Sequence, residues 1–282
     1  MRRPTCPKCH TIRIQRRGYF FVRIFKSYRR RYFCLNCKTS FSNQTTAPTY
    51  RQKRPDLNVP IRKLLTSGMA QRQAARYLGC SKNTVDRKLQ WLSLHSNTNL
   101  KQNAPGVLFI DEMESIEHTK LKPLTIPIAV GDDYRIYSMT VGRIKAKGHL
   151  AVRSKLKYGK RMDEKTQALH RCFENLSRTF LTSPRVIRTD ELPLYKSLVQ
   201  TYFPNSTHET YSSRDHIRKK KEMLFLNHQK KVFDPLFPLN QRCAKLRQDI
   251  KRLSRRSWCT TKSPANLEKC LSVYVAYQEV LS

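Results

Sequence analysis

The stretch VLFIDEMESIE (107–117) decides the fold, because four apolar residues lead directly into a group of acidic side chains. A short apolar run of this kind is typical of a buried β-strand. Successive side chains of a strand point to opposite faces, so Asp111 and Met113 share one face, and the glutamates at 112 and 114 share the other. We therefore expect a core strand that carries Asp111 at its end.

A second stretch, RVIRTDELPLY (185–195), repeats the pattern with Asp190 after another apolar strand. Strand ends of an open α/β sheet meet at one edge, where ligands bind. We therefore expect Asp111 and Asp190 to lie together and to hold Mg²⁺ or Mn²⁺, which prefer oxygen ligands. Two such ions can clamp a phosphodiester, activating the attacking oxygen and stabilising the leaving one. One such aspartate alone is more often a turn or cap residue, and the recurrence favours a catalytic site.

The remaining sequence after Val107 predicts an α/β domain over residues 107–282. Gly131-Asp132-Asp133 separates two apolar stretches, which is a hairpin signal. The predicted elements are strands at 123–132 and 134–142, a helix over 163–181 and a helix over 239–255 in a basic C-terminal region. The order of strand, hairpin, helix and strand is consistent with an open sheet covered by helices.

Two C-x-x-C pairs, CPKC and CLNC, lie in the first 48 residues with 24 residues between them. Two such turns each present a pair of thiolates, and together they complete a tetrahedral Zn²⁺ site. The segment between them alternates Arg and Lys with aromatic and β-branched residues, which predicts a β-hairpin. We expect residues 1–48 to form a zinc ribbon in which Cys6, Cys9, Cys34 and Cys37 bind a structural Zn²⁺ ion. Redox-active or unpaired thiols are the alternative.

Residues 61–95 have the pattern of a helix-turn-helix, after a linker at 49–60 and before a second linker at 96–106. Gly79 follows a helix with small buried residues, and Ser81 begins the next helix, which is the arrangement of this motif. The exposed front of that recognition helix would contact double-stranded DNA. The residues expected there are Ser81, Lys82, Asn83, Thr84 and Arg87. A three-helix module for protein contact is the alternative.

The charge of the chain indicates a polyanionic partner. Lys and Arg number 56 against 20 Asp and Glu, a formal net charge of +36. Phosphate backbones fit such a charge, because each basic contact releases condensed counterions. Basic clusters expected to hold phosphates include Arg218–Lys221 and the helical positions Arg247, Lys251, Arg252, Arg255 and Arg256.

The sequence favours a protein without a membrane segment or signal peptide. No stretch approaches the roughly 18 apolar residues of a membrane helix. The basic N-terminal residues are not followed by an apolar segment. Nine cysteines, five of them outside the two pairs, suggest a reducing compartment. We expect a cytoplasmic protein that is associated with the nucleoid when it is bound to DNA.

The order of zinc ribbon, helix-turn-helix, acid-bearing strand, TDELPLY (189–195) and LRQDIKRLSRRSW (246–258) resembles bacterial insertion-sequence transposases. The likeness covers most of the chain. Within these transposases, the sequence most resembles the group encoded by short elements. It implies an RNase H-like catalytic domain of the DDE type. The implied fold is multidomain: a zinc ribbon, an all-α helix-turn-helix and an α/β core.

The resemblance implies roles for single residues. Asp111, with Glu112 beside it, and Asp190, with Tyr195 downstream, match the first two acids of the family's catalytic set. The third is a Glu at the start of the last core helix, and the matching position here is Asn240. An amide oxygen ligates Mg²⁺ without bringing charge, which would weaken a second metal site. Asp249, Asp234 and Glu222 are the other candidates for this position.

Three functions follow from these expectations. The first is a transposase that binds terminal inverted repeats and catalyses Mg²⁺-dependent strand cleavage and transfer. This function implies a homo-oligomer, because two element ends must meet. The second is a catalytically impaired or non-enzymatic DNA-binding regulator with the same ribbon and helix-turn-helix. The third is an RNA-binding or ribosome-associated zinc-ribbon protein, which would need neither the two acids nor the recognition helix.

Overall fold

The computed structural model describes residues 4–96, 101–212, 234–254 and 259–277. The chain divides into two compact units, Met1–Ile61 and Arg62–Ser282. Several residues expected to contribute to function lie outside the described residues: Arg218–Lys221, Glu222, Arg255 and Arg256. No helix in the described ranges has both the length and the apolar character needed to cross a bilayer.

The first unit contains a three-stranded antiparallel sheet. Its strands are β1 (Ile14–Val22), β2 (Ser27–Cys34) and β3 (Ser40–Ser42), in the order β1-β2-β3. The predicted hairpin between the two cysteine pairs is therefore present. Its register shifts by one residue between Arg16 and Tyr19, where Gly18 has φ +63°. A β-bulge of this kind needs a left-handed backbone, which glycine adopts without a side-chain clash.

Three helices occupy the region of the predicted helix-turn-helix: α1 (Asn58–Thr66), α2 (Gln71–Tyr77) and α3 (Lys82–Ser96). Ala74 and Ala75 of α2 and Val85 and Leu89 of α3 are buried, so small residues let these two helices approach closely. Gly79 between them has φ +59°, a conformation that ends a helix and that L side chains rarely adopt.

The sheet of the second unit has a path of five strands. They are β4 (Val107–Glu117), β5 (Thr119–Gly131), β6 (Ile136–Met139), β8 (Val186–Asp190) and β9 (Thr207–Tyr211), while the short β7 (Gly142–Arg143) pairs with β5. The order along the path is β6-β5-β4-β8-β9. The first three strands are antiparallel, and β8 and β9 run parallel to β4.

One expectation about β4 is wrong. The apolar run ends at Ile110, just before Asp111. The strand nevertheless continues to Glu117, because β5 pairs with β4 antiparallel from Leu108 to Glu117. Asp111 therefore lies in the middle of a strand. The parallel pairing with β8 ends at Phe109 and Arg188, so only the β8 side of β4 opens beside Asp111.

Five helices accompany this sheet: α4 (Leu150–Tyr158), α5 (Lys165–Thr179), α6 (Pro193–Tyr202), α7 (Phe237–Asp249) and α8 (Pro264–Tyr277). Leu108 and Ile110 of β4 pack with residues of α5 and α6 in one core. Phe109 and Met113, on the other face of β4, pack with residues of α7 and α8 in a second core. The sheet is covered by helices on both faces, as expected of an α/β core.

The helix-turn-helix and this core are in contact within the second unit. Helix α3 packs against α8, and the Arg62 guanidinium lies 4.2 Å from the ring centroid of Tyr277. At Gly68, a Cβ atom would come within 3.2 Å of the Asp249 carbonyl oxygen. A side chain at this turn, where φ is +84°, would meet rigid backbone. Helix α8 therefore contacts both the sheet core and helix α3.

We expect Leu271→Ala to lower the free energy of unfolding by about 2–5 kcal/mol, because Leu271 on α8 is fully buried and its loss leaves a cavity. Chemical denaturation followed by circular dichroism measures the change. Leu156→Ala is the matched control: Leu156 on α4 is 84% exposed, so its removal should change stability by at most about 0.5 kcal/mol. Equal losses in the two variants would contradict the packing of α8.

Candidate zinc site and carboxylate site

The four paired cysteines lie together in the first unit. Cys6 and Cys9 precede β1, Cys34 ends β2, and Cys37 lies in the turn before β3. Their Sγ atoms all lie within 4.8 Å of one another, with Cys6 to Cys37 and Cys9 to Cys34 each at 3.5 Å. Four thiolates at such distances fit the tetrahedral coordination of Zn²⁺. The described residues contain no other group of three or more Cys, His, Asp or Glu ligand atoms this compact.

In each C-x-x-C turn a backbone N–H donates to the sulfur of the first cysteine, from the second residue after Cys6 and from the third residue after Cys34. The Lys8 backbone N–H donates to Cys6 Sγ at 3.4 Å, and the Cys37 backbone N–H donates to Cys34 Sγ at the same distance. These donors stabilise a thiolate at the first cysteine of each turn. Four soft ligands leave no coordination position open, so a Zn²⁺ ion held here would be structural.

The thiols differ in their pKa values. A hydrogen bond with the Thr39 hydroxyl is the largest influence on Cys37 and lowers its pKa to about 6. Burial is the largest influence on Cys34 and raises its pKa to about 11. Metal binding at neutral pH must therefore displace a proton from Cys34, so the affinity for Zn²⁺ increases with pH.

The two predicted aspartates lie side by side on the main sheet. Val107 pairs with Val186 and Phe109 with Arg188, so continuing this parallel register by two residues brings Asp111 opposite Asp190. Both side chains are on the sheet face that α7 covers, since Asp111 is two residues from the buried Phe109 and Met113 of that core and so shares their face of β4. The Arg188 guanidinium, 5.8 Å from the Phe109 ring centroid, marks the same face of β8.

The surroundings of Asp111 oppose its ionisation. Its pKa is raised to about 6, first by burial and then by the negative charges of Asp190 and Glu112. The Glu112 backbone N–H, which donates to Asp111 Oδ1 at 2.7 Å, and the Lys165 ammonium group act in the opposite direction. A partly buried carboxylate beside a second one is the arrangement that a bound cation would stabilise.

Glu112 lies on the opposite face of β4 and has its own cation. Lys165, the first residue of α5, places its Nζ atom 2.6 Å from Glu112 Oε2. The Thr125 hydroxyl on β5 donates to Glu112 Oε1 at 3.4 Å. Sequence reasoning missed Lys165, because nothing in the local sequence connects the start of α5 with an acid on β4.

Tyr195 on α6 lies close to the acidic residues. Its hydroxyl oxygen is buried and has no hydrogen-bond partner among the described residues. Burial raises the pKa of this phenol, and the charges of Asp111, Glu112 and Asp190 raise it further. The phenol is therefore neutral and has a proton to donate. On β8, Asp190 Oδ1 accepts the Leu192 backbone N–H at 3.0 Å, which orients that carboxylate.

The candidates for the third position have different surroundings. Asn240 on α7 is exposed, and its Nδ2 donates to Asp234 Oδ2 at 2.9 Å. Asp249 accepts from the Tyr274 hydroxyl at 2.6 Å and pairs with Lys245 at 3.0 Å, so it already has two partners. Cys243 lies one turn after Asn240. Burial raises the pKa of its thiol and the charge of Asp111 raises it further, which indicates that Cys243 is near the acids. The third candidate, Glu222, lies outside the described residues.

The predicted DNA-contacting residues form the start of α3, where Ser81, Lys82, Asn83 and Arg87 are exposed and Thr84 is half-buried. Ser81 Oγ accepts the Thr84 backbone N–H at 3.1 Å and so caps the helix. Lys82 pairs with Asp86 on the next turn. Asn83 and Arg87 extend from the same end of the helix, which is the end that enters the major groove in this motif.

We expect Cys9→Ser to abolish stoichiometric Zn²⁺ binding, because three thiolates leave the tetrahedral set incomplete. Metal content by atomic absorption and the near-ultraviolet circular dichroism of the first unit's aromatic residues would both report the loss. Cys80→Ser is the matched control, since Cys80 is equally half-exposed and lies outside the cluster. Zinc loss in both variants, or in neither, would contradict the site.

We expect Asp111→Asn to stabilise the metal-free protein at pH 7.5, because it removes a carboxylate whose pKa is raised from 3.8 to about 6. In the wild type the free energy of unfolding falls as pH rises through this window, since the folded state retains the proton longer. The gain is on the order of 2 kcal/mol at pH 7.5 and disappears below about pH 4. Thermal melts at both pH values measure it, and a gain that does not depend on pH would contradict the assignment.

Comparisons with known proteins do not identify a family for this chain. No protein family model and no curated protein sequence matches the chain. Among solved structures, the chain is similar to a chain of the simian T-cell lymphotropic virus intasome in complex with PP2A regulatory subunit B56 gamma. The sequence identity is 14% and the TM-score is 0.22, and the match covers 74% of this chain and 72% of that chain. It is also similar to the yeast mitochondrial Holliday junction resolvase Ydc2, at 13% identity and a TM-score of 0.21, covering 80% of this chain and 94% of that one. Both TM-scores are too low to bear on function.

Proposed function

We propose that this chain is a DDE-type transposase that binds the terminal inverted repeats of an insertion sequence and catalyses metal-dependent DNA strand cleavage and transfer. The observation that carries the proposal is the placement of Asp111 and Asp190. They occupy matching register positions on adjacent parallel strands and share one face of the sheet. Two acids so placed, one of them with a raised pKa, are typical of a functional site.

The architecture around the acids supports this proposal. A three-stranded antiparallel meander joined to two parallel strands, with helices on both faces, agrees with the RNase H-like core that the sequence resemblance implies. The acids lie on the central strand β4 and its parallel neighbour β8. Helix α7, with Asn240 near its start, covers the face on which they lie.

The donor set fits a hard divalent cation such as Mg²⁺ or Mn²⁺. Asp111 and Asp190 offer carboxylate oxygens, and the mutual repulsion that raises the pKa of Asp111 is what a cation would relieve. When bound, the metal would polarise the phosphodiester and lower the pKa of a coordinated water. Asn240 would complete the set through its amide oxygen.

The protein's own residues prepare this site. The carboxylate of Asp190 is oriented by the Leu192 backbone N–H, and that of Asp111 by the Glu112 backbone N–H. On the opposite face of β4, the Lys165 ammonium group forms a salt bridge with the Glu112 carboxylate, so the negative charge of Glu112 is neutralised there. The reaction would be in-line attack of water, and then of a DNA 3′-OH, on a phosphodiester.

DNA binding would begin at the recognition helix α3. Asn83 and Arg87 are exposed and free to reach base edges and phosphates, while Ser81 and Thr84 maintain the helix start. The net charge of +36 supplies the phosphate contacts. We further propose a homo-oligomer acting on double-stranded DNA in the cytoplasm, since joining two ends requires more than one DNA-binding unit.

A second candidate function is a DNA-binding regulator without cleavage activity. It is favoured by the surroundings of Asn240, which brings no charge and is hydrogen-bonded to Asp234. Asp111 and Asp190 also belong to no compact group of three acidic ligands within the described part of the chain. The two functions share the same DNA-binding helices and differ in catalysis alone.

We expect Asp111→Ala and Asp190→Ala each to abolish Mg²⁺-dependent cleavage while terminal-repeat binding changes less than about twofold, because the acids act on the metal and not on α3. The assay uses duplexes carrying the flanking terminal repeats, with loss of rate of at least about 10³-fold expected for a metal ligand. Glu114→Ala is the matched control, since this acid of the same strand is exposed and pairs with Lys147. Unchanged cleavage by both aspartate variants would refute the site.

The third position is tested in the same assay with Asn240→Glu and Asn240→Ala. A metal ligand at this position predicts faster cleavage with glutamate and slower cleavage with alanine. Absence of cleavage in the wild type, together with its appearance in Asn240→Glu, would establish the regulator as the natural function.

A further inference from the structure

The β1–β2 hairpin of the first unit is longer than the small core it helps to form. At the metal end, Tyr32 and Cys34 of β2 are buried against Phe41 and the other cysteines. The third strand pairs with β2 only from Arg31 to Phe33. Beyond this point the third strand does not cover the same face of the hairpin.

This uncovered face carries three exposed aromatic rings. Tyr19 pairs directly with Arg30, and Phe21 pairs directly with Tyr28, so all four side chains share one face. The exposed fractions are 59% for Tyr19, 50% for Phe21 and 71% for Tyr28. The Phe21 and Tyr28 ring centroids are 5.2 Å apart. We call this set, with Arg30, the aromatic face.

The hairpin that carries the aromatic face is rich in basic residues and contains no acidic residue. The Arg30 guanidinium lies 4.6 Å from the Tyr19 ring centroid, and seven Arg and Lys residues occur between Ile14 and Cys34 without one acid. The first acid of the whole chain is Asp56. A second copy of this face would therefore be repelled, and a polyanion would be attracted. Contiguous exposed rings of this kind mark an interaction site.

A nucleic-acid duplex would leave these rings unused. The faces of paired bases are covered by their neighbours, whereas the bases of an unpaired strand present free π-faces. Aromatic rings in a basic groove are the usual means of binding such a strand, with arginine adding cation–π contacts. We propose that the aromatic face binds single-stranded DNA by stacking of its bases on Tyr19, Phe21 and Tyr28, with Arg30 and neighbouring arginines on the phosphates.

This inference does not rest on cleavage. An unpaired strand would be held by the hairpin while duplex is held by α3, so one chain would bind both forms through different units. Binding is measured without Mg²⁺, so its failure would leave the proposed transposase activity untouched, and loss of cleavage would leave this inference untouched.

The test compares a triple variant and a double variant of the full zinc-loaded chain by fluorescence anisotropy with labelled oligothymidylate of about 20 nucleotides. In the first, Tyr19, Phe21 and Tyr28 are changed to Leu, which keeps an apolar side chain but removes the ring. In the second, only the tyrosines are changed to Phe. We expect the leucine variant to bind about 10- to 100-fold more weakly and the phenylalanine variant to bind like the wild type.

The matched single control is Tyr50→Leu. Tyr50 is also in the first unit, is 46% exposed and has an arginine guanidinium 5.3 Å from its ring centroid, but it lies outside the hairpin. Its loss should leave oligothymidylate affinity unchanged. Random-sequence duplex affinity should change less than about twofold in all variants. Equal binding by the leucine and phenylalanine variants, equal loss on duplex, or preference for oligouridylate would each overturn the proposal.

A second measurement covers the case in which the leucine variant loses its zinc. Tyr28→Trp keeps an aromatic ring at the most exposed position and adds a fluorophore. Stacking of a base quenches its emission, so oligothymidylate should quench Tyr28→Trp and leave Tyr50→Trp unchanged after subtraction of the wild-type signal. Equal responses at the two positions would refute stacking on the aromatic face.

Discussion

The parallel pairing of β4 with β8 is the interaction on which the second unit depends. It matches Val107 with Val186 and so fixes the register that brings Asp111 beside Asp190. A slip of one residue would turn one of the two carboxylates to the opposite face, because the side-chain period of a strand is two. The same pairing divides the hydrophobic residues of β4 between two cores, with Leu108 and Ile110 on one side and Phe109 and Met113 on the other.

The charges of the site conflict with the stability of the core that carries it. Asp111 is partly buried beside Asp190, and its raised pKa shows that the folded protein resists the ionised form that a metal requires. The electrostatic destabilisation is limited on the opposite face of β4, where Lys165 forms a salt bridge with Glu112. Functional sites are commonly where such local conflict is retained. A metal ion would turn the repulsion between the aspartates into attraction toward one cation.

The elements proposed to bind DNA are built on different physical principles. The first unit has a small apolar core, and its four thiolates lie close enough to share one metal, whose binding energy would be folding energy. The helix-turn-helix has no such support and instead packs against α8, which also belongs to the sheet core. Anchoring α3 in this way couples the position of this helix to the fold of the core. The hairpin, in contrast, presents aromatic rings that its own core does not cover.

The sequence by itself determined the elements whose signals are local: the two C-x-x-C pairs, the turn at Gly79 with small buried residues before it, the hairpin at Gly131-Asp132-Asp133 and the apolar runs before Asp111 and Asp190. Turn chemistry, hydrophobic period and metal-ligand spacing act over a few residues, so they can be detected without the fold. The tertiary structure was needed to show that β4 continues to Glu117, that Lys165 pairs with Glu112, and that Asn240 is hydrogen-bonded to Asp234. The first depends on the pairing of β4 with the next strand, β5, and the second on helix α5, which is distant in the sequence. The third depends on how α7 begins and on which of its side chains face the sheet, and neither is encoded in a local pattern.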